Sequence, residues 1–156
     1  MKVFLRTSLL VAAAWLGVSA TTAQAKSTYL YNLQFDRADL DHDGFLSMTE
    51  FMGLQSRGES WTDAAFRFNA NDANHDGYLD PLEFRGSRGG KDGGKPDKVQ
   101  TFILADEDED GFLDPTEFAR TLPQSWSFRK VIKLFTRKDR DDSGLISPRE
   151  YGLRVF

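Results

Sequence analysis

The chain contains no cysteine, so it has no disulfide, no thiol nucleophile and no site for a lipid-modified cysteine anchor. Histidine occurs twice, as His42 and His75, and no serine, histidine and carboxylate stand at a spacing that would pair a nucleophile with a base. An enzyme is therefore not expected. Of the three methionines only Met48 and Met52 lie beyond the start of the chain. That excludes the adaptable methionine-rich groove by which some metal sensors grip many targets. No apolar run after residue 25 approaches the ~20 residues that a membrane-spanning helix needs.

The first 25 residues read as a secretory signal peptide rather than as structure. Lys2 and Arg6 supply a positive start, residues 9–20 are apolar or small, and Ala23-Gln24-Ala25 forms a small-x-small cleavage site. Cleavage after Ala25 is the expectation, with Val18-Ser19-Ala20 as a second site, and it implies a secreted or periplasmic protein. A small exported chain without disulfides must find stability elsewhere. Bound metal is the obvious source.

What the sequence does have is repetition. Four twelve-residue stretches carry oxygen-bearing side chains at positions 1, 3, 5, 9 and 12, with glycine at position 6. The first, 39–50, offers Asp39, Asp41, Asp43, Ser47 and Glu50; the second, 72–83, offers Asp72, Asn74, Asp76, Asp80 and Glu83. The third, 106–117, offers Asp106, Asp108, Asp110, Asp114 and Glu117; the fourth, 139–150, offers Asp139, Asp141, Ser143, Ser147 and Glu150. Position 7 adds a backbone carbonyl, from Phe45, Tyr78, Phe112 and Leu145. Alternate side chains in a tight loop point inward, glycine permits the sharp turn, and a glutamate at position 12 closes the shell with both oxygens. Such a loop wraps one hard divalent cation. A bidentate glutamate suits the larger shell of Ca²⁺ better than the octahedron of Mg²⁺, so up to four Ca²⁺ ions are expected.

Charge gives the loops weight beyond their length. Without Lys2 and Arg6 the 20 basic residues fall to 18 against 24 acidic, a net charge of −6. The four loops place 4, 4, 5 and 3 carboxylates at ligand positions, two-thirds of all the acids. Four divalent ions would carry the chain from −6 to +2, so metal should favour compaction. Loop 106–117, with five carboxylates, should be the strongest site, and loop 139–150, with two serines among its ligands, the weakest.

The loops begin at residues 39, 72, 106 and 139, and each carries a phenylalanine four residues before it (Phe35, Phe68, Phe102, Phe135). An aromatic follows each closing glutamate (Phe51, Phe84, Phe118, Tyr151), where an entering and an exiting helix would meet over the loop. Position 8 is always aliphatic (Leu46, Leu79, Leu113, Ile146), as two loops pairing through a short antiparallel ladder require. On these residues the chain resembles the EF-hand family over nearly all of its mature length. The resemblance implies an all-α fold of four helix-loop-helix units, paired into two lobes. Dockerin loops are similar but lack the entering helix that the four phenylalanines mark here.

Ser60 and Asp63 read as a helix N-terminus, Pro96-Asp97 as another, and Ser125 as the cap of a helix whose apolar stripe is Phe128, Val131, Ile132 and Phe135. Between them, five glycines in residues 86–95 exclude a continuous helix. The organisation expected is a first hand pair over 27–85, a glycine-rich linker over 86–96 and a second pair over 97–156. His42 and His75, at position 4 of their loops, should face solvent. The cluster Arg129, Lys130, Lys133, Arg137, Lys138, Arg140 is read as the solvated face of the last entering helix, with an anionic partner or a membrane surface as the alternative. Basic residues in the glycine-rich segment lack interleaved aromatics, so nucleic-acid binding is not expected.

Two functional readings follow. One is an exported calcium buffer or calcium-stabilised interaction module, with calcium ions and a protein as partners; a calcium-sensing regulatory subunit is a variant of it. The other is capture of trivalent lanthanides, favoured by the extra carboxylates Asp80 and Asp114 at position 9. Known lanthanide-selective EF-hand proteins carry proline at position 2, where this chain has Leu40, Ala73, Glu107 and Arg140.

Overall fold

The computed structural model describes residues 12–87, 89–91 and 93–154, with side chains from residue 23. The charged start of the expected signal, Lys2 and Arg6, lies outside the described residues. Among those residues the fold is all-α, in eight helices taken as four pairs. The pairs are α1 (Ala12–Ala38) with α2 (Met48–Gly53), α3 (Trp61–Asn71) with α4 (Pro81–Gly86), α5 (Lys98–Ala105) with α6 (Pro115–Arg120), and α7 (Phe128–Lys138) with α8 (Pro148–Tyr151). Helix α1 runs through Ala25 without a break, and no helix among the described residues is long and apolar enough to cross a membrane.

Local chemistry sets the helix ends. Ser60 caps α3 in a reciprocal capping box with Asp63, and Asp97 caps α5 with Gln100. Each pairing satisfies two N-terminal N–H groups that the helix cannot bond itself. At α7 the structure departs from the sequence reading. The N-cap is Ser127, without a side-chain bond, and the backbone N–H of Ser125 instead donates to Arg57 O at 3.0 Å.

Two apolar clusters form the core. The first gathers Phe35, Phe51, Phe68 and Phe84 with Leu46 and Leu79, and the second Phe102, Phe118, Phe135 and Tyr151 with Leu113 and Ile146. Paired loops are joined by one antiparallel bridge per lobe. Leu46 and Leu79 exchange N–H···O bonds of 2.9 and 3.0 Å, and Leu113 and Ile146 bonds of 2.9 and 2.8 Å. All four side chains are fully buried.

The flanking aromatics meet edge to face, but between hands rather than within one. Phe35 of the first hand packs on Phe84 of the second at 5.7 Å, and Phe51 on Phe68 at 5.5 Å. The second lobe repeats the exchange with Phe102 on Tyr151 at 5.4 Å and Phe118 on Phe135 at 5.7 Å. Because the exchange is mutual, a hand separated from its mate leaves two rings without partners.

The lobes also touch. The connection between α2 and α3 pairs with that between α6 and α7 through an antiparallel bridge at Ser60 and Pro123 and a Gln124 N–H···O bond to Glu59 of 3.0 Å. The Arg120 guanidinium lies 5.0 Å from the centre of the Trp61 ring. The glycine-rich segment is laid against the first lobe: a Cβ on Gly90 would come within 2.1 Å of the Phe51 ring, and one on Gly93 within 2.9 Å of Ala70. Those glycines allow close approach of backbone to core, a different use from a free tether.

Candidate metal centres

Each loop is shaped first by its backbone. Position 4 adopts left-handed φ of 61°, 58°, 57° and 57° at His42, His75, Glu109 and Asp142. The glycine at position 6 follows with φ between 80° and 87°. A Cβ on any of these four glycines would meet nothing within 4 Å, so backbone conformation alone demands glycine there. Both histidines are exposed, as their position suggested.

The carboxylates are then aimed by backbone N–H groups. Oδ2 of Asp39, Asp72, Asp106 and Asp139 accepts from the position-6 glycine at 3.1, 3.0, 3.0 and 2.9 Å. At position 3, Oδ1 of Asp41, Asn74, Asp108 and Asp141 accepts from the residue two further on, at 2.9–3.2 Å. At position 5, Asp43, Asp76 and Asp110 accept from the N–H of Phe45, Tyr78 and Phe112 at 2.8, 2.9 and 2.7 Å. The position-7 side chains Phe45, Tyr78 and Phe112 themselves stand exposed. Only their backbone belongs to the loop.

Position 9 has a second task that the ligand pattern alone does not reveal. Ser47, Asp80, Asp114 and Ser147 are the N-caps of α2, α4, α6 and α8, each in a capping box with the glutamate at position 12. That glutamate spans the loop. Oε1 of Glu50, Glu83, Glu117 and Glu150 accepts from the N–H of Leu40, Ala73, Glu107 and Arg140 at 2.8, 3.0, 2.8 and 2.7 Å. Oε2 accepts from the position-9 N–H at 2.9–3.0 Å. One carboxylate thus ties the start of the loop to its end. The signal was present in sequence as S/D-x-x-E, the pattern of a capping box.

Electrostatics favour a positive charge within the loops. Carboxylate oxygens lie within 4.8 Å of one another in three groups: Asp39, Asp41 and Asp43; Asp106, Asp108 and Glu117; Asp139, Asp141 and Glu150. In loop 72–83 no such trio forms among the described residues, and the Asn74 side-chain amide donates to Asp76 Oδ2 at 2.8 Å. Among the described residues, Asp39 Oδ1 and Asp106 Oδ1 are buried with no hydrogen-bond donor. Burial pushes the Asp106 carboxyl up from its ordinary range, and repulsion from Glu117, Asp110 and Asp108 adds to it. A buried carboxylate oxygen without a donor, beside others of its own sign, fits a hard cation. The donor set therefore suits Ca²⁺, which would draw the position-1, -3, -5 and -12 oxygens together in each loop.

Loop 139–150 departs from the others. Ser143 Oγ donates to the Leu145 carbonyl at 3.1 Å, so the position-7 acceptor is already engaged. Its Glu150 is held low, at about 2, by the Ser147 hydroxyl first and by the N–H groups of Ser147 and Arg140.

The EF-hand family model matches residues 32–54, 65–86 and 99–122, which contain the first three loops. These three segments are EF-hands. The fourth loop, 139–150, lies outside the matched residues. Among solved structures this EF-hand chain is similar to a redox protein from Chlamydomonas reinhardtii, 22% identical with a TM-score of 0.35, over 83% of this chain and 47% of that one. The chain thus spans about half the length of that protein. It is also similar to a homolog of programmed cell death 6 protein from Leishmania major Friedlin, 24% identical with a TM-score of 0.33, over 78% of this chain and 68% of the other. Neither likeness bears on what this chain does at such TM-scores. No curated protein matches it.

Proposed function

We propose that this is an exported calcium-binding protein, holding up to four Ca²⁺ ions in loops 39–50, 72–83, 106–117 and 139–150. It acts as a calcium buffer or as an interaction module that calcium stabilises, without enzymatic chemistry of its own. The observation that carries the reading is the pair of buried, donorless oxygens on Asp39 and Asp106, each inside a cluster of like-charged carboxylates. Such an arrangement is costly without a cation and becomes favourable with one. A sensor that opens a methionine-rich groove is disfavoured, because Met48 and Met52 already pack against the first core cluster.

The test is calorimetric titration of the chain from Lys26 with Ca²⁺, Mg²⁺ and La³⁺, with tryptophan fluorescence followed in parallel. Calcium heats at sub-millimolar ion, lost one site at a time when Glu50, Glu83, Glu117 and Glu150 are each changed to Gln, support the proposal. Strong La³⁺ binding with no calcium heat below millimolar would replace it by lanthanide capture, the reading that Asp80 and Asp114 favour. Export is checked separately, by the N-terminal residue of the protein recovered outside the cytoplasm. Lys26 is the expected first residue.

A further inference from the structure

The α7 helix, FRKVIKLFTRK, holds five basic residues and no acidic one in a chain of net negative charge. Its buried side chains are Val131 and Phe135, while Arg129, Lys130, Lys133 and Arg137 are exposed. Among the described residues the ion pairs are Glu59 with Arg67, Asp63 with Lys95, and Glu107 with Arg120. None of them involves α7. The basic side chains of α7 therefore have no carboxylate partner among the described residues.

On this face Trp126, Lys130, Lys133, Leu134 and Arg137 line a shallow groove. Trp126 and Leu134 pack on the second core cluster from one side, so its floor is apolar and fixed. The Lys130 ammonium sits 3.3 Å from the centre of the Trp126 ring. Lys130, Lys133 and Arg137, at i, i+3 and i+7, run in one row along the helix. Together they make a row of three cations, the first of them stacked over the indole.

We propose that this face docks the chain on an anionic phospholipid bilayer. A row of exposed cations spread over two helical turns has no point at which several donors converge on one small anion, as a phosphate pocket requires. It matches instead a surface of many separated negative headgroups, to which each basic side chain adds attraction independently. Two of the three row cations are lysines, point charges without the planar fork that favours paired recognition of a protein carboxylate. The indole belongs at headgroup depth, where an aromatic body and polar edge are both accommodated. The docking does not depend on which ion fills the loops.

The test is co-sedimentation of the full chain with vesicles of phosphatidylcholine alone and with one-third phosphatidylglycerol, in millimolar calcium at moderate salt. Binding to the anionic vesicles only is expected. The variant K130Q/K133Q/R137Q should bind them on the order of a hundredfold more weakly, at roughly one-fifth per side chain removed. K91Q/K95Q/R154Q, which loses the same charge from exposed positions elsewhere, should lose no more than a few-fold. Circular dichroism and the calcium titration check that both variants fold and bind metal as the parent does. Equal weakening by the two variants, equal binding to both vesicle types, or displacement from vesicles by polyglutamate at matched charge would each overturn the proposal. The last result would assign the face to an acidic protein.

Discussion

Two glycines separate two reasons for which this chain needs that residue. Gly111 has φ of +84° and open space where a Cβ would stand, so Gly111→Ala should cost only the left-handed backbone, about 1–2 kcal/mol. Gly90 has φ of +71° and the Phe51 ring within 2.1 Å of the added atom, so Gly90→Ala must also displace a buried ring. Its cost should be larger, about 2–5 kcal/mol. Urea unfolding of both variants in excess calcium checks the order; a smaller loss at Gly90 would mean that the linker does not rest on the first lobe. Glu150 gives a residue-level prediction for pH. Its carboxyl is held at about 2, below the ordinary 4.5, so its bonds stabilise the loop above 4.5 and are lost as pH falls toward 2. The Ser147 hydroxyl is the largest cause, so Ser147→Ala should move the Glu150 midpoint upward toward 4.5 in the metal-free protein. Carbon-detected NMR of the carboxyl reads that midpoint directly.

At the scale of elements, the loops act in pairs because position 8 of each is bonded to position 8 of its mate. Leu79 is fully buried and exchanges two backbone bonds with Leu46. Leu79→Ala should cost about 2–5 kcal/mol through the cavity it leaves. Its signature is where the loss of affinity falls. Calcium binding by loops 39–50 and 72–83 should both weaken, while loops 106–117 and 139–150 keep theirs; weakening of the second loop alone would mean that the bridge transmits nothing. Much at this scale was legible in sequence. The helix starts at Ser60 and Asp97, the aliphatic ladder positions and the glycines at position 6 are local, and local chemistry decides them. Two features were not. Phe128 sits on the helical face of Val131 and Ile132, yet it is 77% exposed because it is the first residue of α7, where the helix begins. Sequence periodicity gives the direction of a side chain but not whether the partner extends that far. Likewise, spacing marked Phe35 and Phe84 as core residues without saying that they pack on each other across two hands.

The whole molecule is a contest between packing and charge. Across the lobes it is held by the Ser60–Pro123 bridge, the bonds from Gln124 to Glu59 and Ser125 to Arg57, and the Arg120–Trp61 stack. None of these was visible in the sequence, since each joins residues roughly 60 positions apart that no periodicity links. Helix α3 also packs against α5, and the Thr62 hydroxyl donates to the Arg120 carbonyl at 3.5 Å, but the Arg120 cation over its ring is a contact of only about 0.5–2 kcal/mol. Against them stand the ligand carboxylates of the two lobes, 8 in each, uncompensated until metal binds. Arg120 sits where the two effects meet, since it also pairs with Glu107 at position 2 of loop 106–117 at 2.6 Å. Removing calcium should therefore separate the lobes before it unfolds either one: each core keeps its own edge-to-face rings, whereas the two apolar clusters share no residue that would oppose the repulsion. Small-angle scattering of the chain from Lys26 should show a larger radius of gyration in chelator than in calcium. The difference should shrink as salt rises and the Debye length falls from about 30 Å at 0.01 M to about 10 Å at 0.1 M. Arg120→Ala should enlarge the chelated form further and leave the helical circular dichroism signal unchanged. An expansion that salt does not reduce would show that loop geometry, rather than charge, separates the lobes.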